Sequence, residues 1–398
     1  MLTLGVEEEF LLLDGTGAVA SAASKVARHA GFDGRVTPEY MSYQLETMSR
    51  VCRRLDELRS DLVELRRRAA TGARQAGVWL VASGTPPFRA GPLDALSDHA
   101  RYRALARQFP SATAAGGTCA CHVHVGVPDR DLAVAATVRL RPWLPALLAL
   151  TVNSPYAAGA DTGWASYRYV AQRRWPTFRP PEFWPSARRY DEVVHSLVTC
   201  RAAMDEASVY FLARPSARYP TVEVRVADTC LAADDAVGYA GLVRALVATA
   251  IEDERRRRPQ HPAPGFSVDA ALLMAAQRGT RMTSPRTAQE SAGLVARLLS
   301  KVTPALAAAG DLDEVRAWVS RQLRGGTGAD RQRGLWSRAE CPAEFVTALA
   351  GSTVPSVVPA RVSSLRVEEG SAPRPSARPG GRHRPAPPPP DPAAPVPS

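Results

Sequence analysis

The chain has 398 residues, 45% of them hydrophobic, and a formal charge of +11. That length allows a sizeable core in one large domain or two. Lys25 and Lys301 are the only lysines, so the positive excess is arginine. No basic cluster is interleaved with aromatics, which argues against a nucleic-acid partner.

No signal-peptide pattern precedes the first strand-like stretch. The longest apolar run, Trp143 to Val152, is too short and too Pro-interrupted to span a bilayer. Cys52, Cys119, Cys121, Cys200, Cys230 and Cys341 form no regular framework and read as reduced thiols. These features predict a soluble, cytoplasmic protein with no membrane partner.

The first element is a strand over Leu4–Leu13, within TLGVEEEFLLLD. Alternation places Glu7 and Glu9 on one side, and Leu4, Val6, Glu8 and Phe10 on the other. Glu8 on that apolar side calls for a sheet edge or an arginine partner. Glu39 and Glu46, in PEYMSYQLET, could reach one site if their backbone is irregular. Leu55, Leu58, Leu62 and Leu65 predict a helix over Arg54–Gly77. Val78–Ser83 reads as a strand and Leu93–Phe109 as a helix.

His122–Val127 reads as a strand with His122 and His124 on one face and valines on the other. Cys119 and Cys121 stand beside these histidines, but C-x-C-H-x-H is too compressed for one zinc tetrahedron. A helix is predicted over Asp191–Ala207 and a strand over Thr221–Ala227, where Glu223 and Arg225 share a face opposite Val222, Val224 and Val226. A further helix covers Ala236–Glu254, with Asp234 or Asp235 as its N-cap. Arg255 to Arg258 end that helix, where cations suit its dipole. Glu290–Ala308 is the last predicted helix. Residues 1–355 read as one catalytic domain. Residues 356–398 read as a disordered tail, Pro- and Arg-rich from Ser371 onward.

Three strands with one valine-rich side and one ionisable side predict an α+β fold: an antiparallel sheet with helices on one face. The other face would carry Glu7, Glu9, His122, His124, Glu223 and Arg225. Clustered carboxylates need positive charge among them, and an oxygen-rich set suits Mg²⁺. Carboxylate-held Mg²⁺ in turn suits ATP phosphates. Neither GxxxxGK[ST] nor a dinucleotide fingerprint is present. A metal-dependent hydrolase using His122, His124 and nearby glutamates is the competing reading.

LGVEEEFLLLD, CHVHVGVPDRD, NSPYAAGADTGWASYR, RPSARYPTVEVRVADTC and GGTGADRQR, in this order, resemble the glutamate–cysteine ligase type 2 family. The resemblance runs from about Thr3 to about Gly334. It implies a fold of the glutamine synthetase and guanido kinase type, with a curved, mainly antiparallel sheet forming an active-site funnel and helices on its outer face. It implies an ATP-dependent carboxylate–amine ligase acting through a γ-glutamyl phosphate, with L-glutamate and an amine such as L-cysteine as partners. A homodimer is compatible with it. By the same resemblance Glu7, Glu9, Glu39, Glu46, His124 and Glu223 are metal ligands. His122 and Arg225 lie near the nucleotide phosphates. Arg225 and Arg168 stabilise transferring charge or hold substrate.

The chain departs from the family pattern at three places. Thr47-Met48-Ser49-Arg50 follows Glu46 where the family has Leu-Asn-Thr-Pro. Phe211-Leu212 replaces Trp-Asp, and Thr177 to Pro181 replaces T-G-x-P-P. All three fall on the side that the resemblance gives to the amino-acid substrates.

Overall fold

The structure is a computed structural model that describes residues 1–31, 33–88, 92–260, 264–281 and 288–355. The predicted tail, 356–398, lies outside the described residues.

The main sheet is built from β1 (Leu4–Leu13), β2 (Val36–Pro38), β3 (Gln44–Met48), β4 (Trp79–Val81), β5 (Ala120–Gly126), β8 (Ala213–Pro215) and β9 (Thr221–Asp228). A separate ribbon pairs β6 (Tyr156–Ala157) with β7 (Ala160–Asp161). The main order is β2-β3-β1-β5-β9-β8, with β4 also on β1, and every pairing is antiparallel. The strand β1 is central. Along one edge it meets β3, and along the other it meets β5 and then β4.

The helices of the first half are α1 (Ala23–Ala30), α2 (Leu55–Gln75), α3 (Ala100–Gln108), α4 (Pro110–Thr113), α5 (Arg130–Leu140) and α6 (Leu144–Thr151). They are followed by α7 (Tyr167–Gln172), α8 (Ala187–Thr199), α9 (Ala233–Arg255), α10 (Gly265–Arg278), α11 (Ala288–Ala309), α12 (Leu312–Gly325), α13 (Gly328–Trp336) and α14 (Pro342–Thr353).

The valine sides of the strands make the core. Leu4, Val6, Val123, Val125, Val222 and Val224 pack with Leu58 and Leu62 of α2 and with Val243 and Leu246 of α9. The second half of β1 is covered on both sides, which explains its unbroken apolar run. Phe10 and Leu12 meet Val26 of α1 and Leu65 of α2, while Leu11 and Leu13 meet Phe345 and Leu349 of α14. Arg130–Thr151 is long and apolar enough by composition to cross a membrane, but its window is 67% buried within the protein and a 3₁₀ turn at Arg141–Trp143 divides it.

Glu8 is resolved by an arginine. Its carboxylate and the Arg66 guanidinium of α2 are 0% and 1% exposed and pair at 2.6 and 3.0 Å. Arg66 also donates to the carbonyls of Cys230, Leu231 and Thr353. One side chain thus joins the first strand, the turn after β9 and the last described helix.

Several boundaries differ from the sequence reading. The helix expected from Leu93 starts at Ala100, because the Leu93 carbonyl accepts the Tyr43 hydroxyl and Leu96 bridges Met41. The helix expected over Asp191–Ala207 starts at Ala187 behind the Ser186 cap. It stops at Thr199, before Arg201 adopts a positive φ. The N-cap of α9 is Ala232; Asp235, in the first turn, accepts the Ala232 N–H.

Replacing Glu8 with Ala strands Arg66 without its counter-ion. Breaking a buried pair from one side costs about 3–5 kcal/mol. Chemical denaturation of Glu8→Ala should show a loss of that size, and an unchanged midpoint would contradict it.

Candidate active site

The inner face of the sheet carries the ionisable rows. Cross-strand register sets Glu9 opposite Glu46, Glu7 opposite His122, and His124 opposite Glu223, which in turn faces Arg214. Glu46 therefore arrives on a regular strand and needs no irregular backbone to reach the site, while Glu39 follows the short β2 directly. A register shift between β5 and β9 sets Arg225 and Val226 across from the single residue His122. Such a bulge re-aims side chains, and Arg225 reaches the carboxylate of Glu223 and lies 3.4 Å from His122 Nδ1.

These rows form the floor of a cavity of about 250 Å³. Glu7, Glu9, Glu39, Glu46, His122, Arg168 and Arg225 all line it. His124 and Glu223 do not. They flank it, with His124 lining an adjoining apolar cavity of about 640 Å³ that shares Glu7. The sequence reading overlooked Gln44, Arg101, Tyr102, Gln172, Trp175, Tyr210 and Arg214, which complete the polar cavity. Arg214 was the most legible of them, since it opens the RPSARYP stretch and pairs with Glu223 at 2.8 Å. The departures from the family pattern do not share one side as expected: Phe178 lines the polar cavity and Met48 the apolar one, while Phe211 and Leu212 are buried in the core.

Charge in the cavity is sharply divided. Burial, then the Glu39 charge, pushes the Glu9 carboxyl up to about 8, against the Ala120 N–H that it accepts at 2.7 Å. Burial and the neighbouring carboxylates also raise Glu39 and, further, Glu46. For Glu7 burial works upward, but His122 and His124 outweigh it and hold this carboxyl well below the usual range. Glu223 is likewise buried yet held low by Arg214 and Arg225. Burial and the Arg225 charge bring His122 down to about 4. His124 moves upward: burial opposes its charge, and Glu7 and Glu223 outweigh that.

The residues fit a hard divalent cation. The ligand atoms of Glu7, His124 and Glu223 lie within 4.8 Å of one another, the one such group among the described residues. His124 Nδ1 bonds the Thr221 hydroxyl at 2.9 Å, while the buried Nε2 has no hydrogen-bond partner and stands 3.4 Å from the Glu7 carboxylate. Fixing one ring nitrogen to present the other is how ligating histidines are oriented. The crowded carboxyls of Glu9, Glu39 and Glu46 would likewise be relieved by positive charge. A zinc set with Cys121 is excluded by alternation, since Cys121 lies in the core on the opposite face from His122 and His124.

Arg168, on α7, is buried and lines the cavity. Its Nη atoms donate to the Val226 and Arg225 carbonyls at 3.3 and 3.2 Å, and Nε has no partner.

A model of glutamate–cysteine ligase family 2 matches residues 3–350. A Mycolicibacterium vanbaalenii protein provisionally named glutamate–cysteine ligase 2-2 is 42% identical over 358 residues, 88% of this chain and 98% of its own. A Saccharopolyspora erythraea protein provisionally named glutamate–cysteine ligase 2-1 is 42% identical over 359 residues, 89% of this chain and 95% of its own. A glutamate–cysteine ligase from Francisella tularensis, solved in complex with AMP, superposes with a TM-score of 0.61 at 14% identity, covering 91% of this chain and 95% of that one. A bifunctional glutathione synthetase from Pasteurella multocida gives 0.67 at 14% identity, covering 89% and 52%. Both structures share the fold.

In EDTA-treated protein, an NMR titration should find His122 neutral at mild acidity and protonated only near pH 4. The unfolded imidazole takes its proton near 6.5, so stability falls as pH drops from there toward 4. An imidazolium at His122 in the folded protein at neutral pH would refute the assignment.

Proposed function

Because the chain belongs to glutamate–cysteine ligase family 2, we propose that it is an ATP-dependent carboxylate–amine ligase. It activates the γ-carboxyl of L-glutamate as an acyl phosphate and joins it to an amine, for which the relatives' names supply L-cysteine. The observation that carries this reading is one cavity in which a floor of glutamates meets Arg101, Arg168, Arg214 and Arg225. Such a cavity suits a reaction whose reactants are phosphate and carboxylate anions.

The γ-phosphoryl group of ATP passes to the substrate carboxylate, and the amine nitrogen then attacks the carbonyl carbon. Phosphate leaves with the bonding pair, and the nitrogen loses a proton. Arg225, held on the floor by Glu223, sets positive charge where phosphoryl oxygens develop negative charge. His122 is neutral and orients Glu7, at 3.3 Å from its Nδ1, without repelling Arg225. Arg168 binds a substrate anion. Glu7, Glu9, Glu39, Glu46, His124 and Glu223 would hold Mg²⁺, whose role when bound is to neutralise the triphosphate. The adjoining apolar cavity, lined by Val6, Met48, Val51 and Tyr219, takes the nucleoside, so the phosphates run past Glu7 into the polar cavity. The six free cysteines suit a cytoplasmic setting.

ADP release from Mg²⁺-ATP with L-glutamate, measured with and without a panel of amines that includes cysteine, tests the reading. Stimulation by an amine is expected, and ATP hydrolysis indifferent to glutamate and amine would overturn it. Glu7→Gln and Glu223→Gln should each lower turnover by about 100-fold or more. Glu223→Gln should also lower the unfolding midpoint, because it leaves Arg214 and Arg225 without their buried counter-ion. Its turnover is therefore read on the folded fraction, and full activity in either variant would remove that residue from the metal set. Truncation after residue 355 should leave turnover unchanged, and a large loss would show that the tail takes part.

A further inference from the structure

Two stretches remain without a role: NSPY, at 153–156, and GADRQR, at 328–333. The structure brings the first to a buried carboxylate and the second against Asn153 beside it. Asp228 closes β9 and is 0% exposed. It accepts the Asn153 N–H at 2.8 Å, the Ser154 hydroxyl at 2.6 Å and the Ser166 hydroxyl at 2.7 Å. Its Oδ1 stands 3.7 Å from Arg168 Nη1, and the Arg168 N–H donates to the Ser154 hydroxyl at 3.1 Å.

The clamp extends to α13. The Asn153 amide donates to the Ala82 and Thr229 carbonyls and accepts from Gln332 at 2.8 Å. Gln332 also donates to the Asn153 carbonyl, and the Ala329 N–H to that of Val152. Gly328 admits the close approach, because a Cβ there would stand 2.3 Å from Asn153 Oδ1. Asp228 is thus held from several elements, and the cation beside it is Arg168.

We propose that Asp228 is a positioning residue that fixes the Arg168 guanidinium for recognition of the amino-acid substrate's carboxylate. Three observations support that ligand, given the ligase reading on which the inference rests. Arg168 lines the polar cavity beside Gln172, Trp175 and Phe178. It does not line the apolar cavity that adjoins Glu7 and His124. Its buried Nε has no hydrogen-bond partner, although both Nη atoms are anchored to the backbone of β9. A guanidinium gripped on one side and unpaired on the other is pre-organised for a planar carboxylate.

The test uses full-length Asp228→Asn, which keeps the shape and removes the charge. Misplacing a substrate-holding group costs about 10- to 100-fold, so the KM for L-glutamate should rise by that factor while the KM for ATP stays near wild type. Arg168→Lys should do the same, and the double variant should be no worse than Arg168→Lys alone, because the two act as one unit. An unchanged glutamate KM in a well-folded Asp228→Asn, equal rises in both KM values, or multiplicative losses in the double variant would each overturn the proposal. If Asp228→Asn fails to fold, Ser166→Ala removes one clamp and should show a smaller rise confined to glutamate; no rise would count against it. The ligase reading fails on separate grounds, namely absence of glutamate- and amine-dependent ADP release in the wild type. L-Glutamate binding, followed by tryptophan fluorescence, reads the Asp228 effect without turnover. Equal affinity in wild type and variant would overturn the proposal there as well.

Discussion

The ion pair between Glu8 and Arg66 decides how the first strand sits. Three consecutive glutamates could be presented in two ways, since a slip of one residue exchanges the faces of a strand. One register sends Glu7 and Glu9 to the cavity and Glu8 into the helix-packed face. The other sends Glu8 to the cavity and buries two carboxylates among valines and leucines. A single buried arginine compensates a single buried carboxylate, and α2 supplies only Arg66 at that depth. The pair contributes less as net stability than as a choice between registers. Every residue on the floor of the site inherits that choice, because β3 and β5 take their alignment from β1.

Above that floor, the site is a problem in arranging like charges. Glu9, Glu39 and Glu46 crowd one end, where burial and repulsion favour the protonated form. Glu7 and Glu223, at the other end, stay ionised against histidine and arginine. The sheet by itself is thus strained at one end and satisfied at the other. A cation and polyanionic ligands complement such a division, because they supply the charges that the protein withholds.

Much of this was legible where local rules apply. Alternation alone placed Glu7 with Glu9, His122 with His124, and Glu223 with Arg225, because side-chain direction in a strand has a period of two. The fold class followed from the valine sides of the same strands. The limits of that reasoning are equally local. Strand β3 is short, and nothing in QLETM marks it as a strand. The helix expected from Leu93 failed because a hydroxyl and a β-bridge from residues some fifty positions earlier hold its first turn open. Tyr102, Gln172 and Tyr210 enter the cavity from loops and helices distant in sequence, where no period marks them. Asp228 was invisible for a further reason. The bulge at Arg225 and Val226 interrupts the alternation just before it, so counting from Glu223 does not reveal its setting.

The reach of Arg66 also bears on how the chain is made. The counter-ion of Glu8 also donates to the Thr353 carbonyl of the last described helix, 287 positions along the chain from Arg66. The Thr353 hydroxyl in turn accepts the Ala82 N–H beside β4. The central strand therefore completes its surroundings only after α14 has been translated. Contacts of such separation make folding slow and leave early segments exposed. A nascent chain halted before α14 carries a buried-type arginine without its full set of acceptors, and an uncovered apolar flank on β1. A defect in α14 would therefore be felt in folding before it is felt in catalysis.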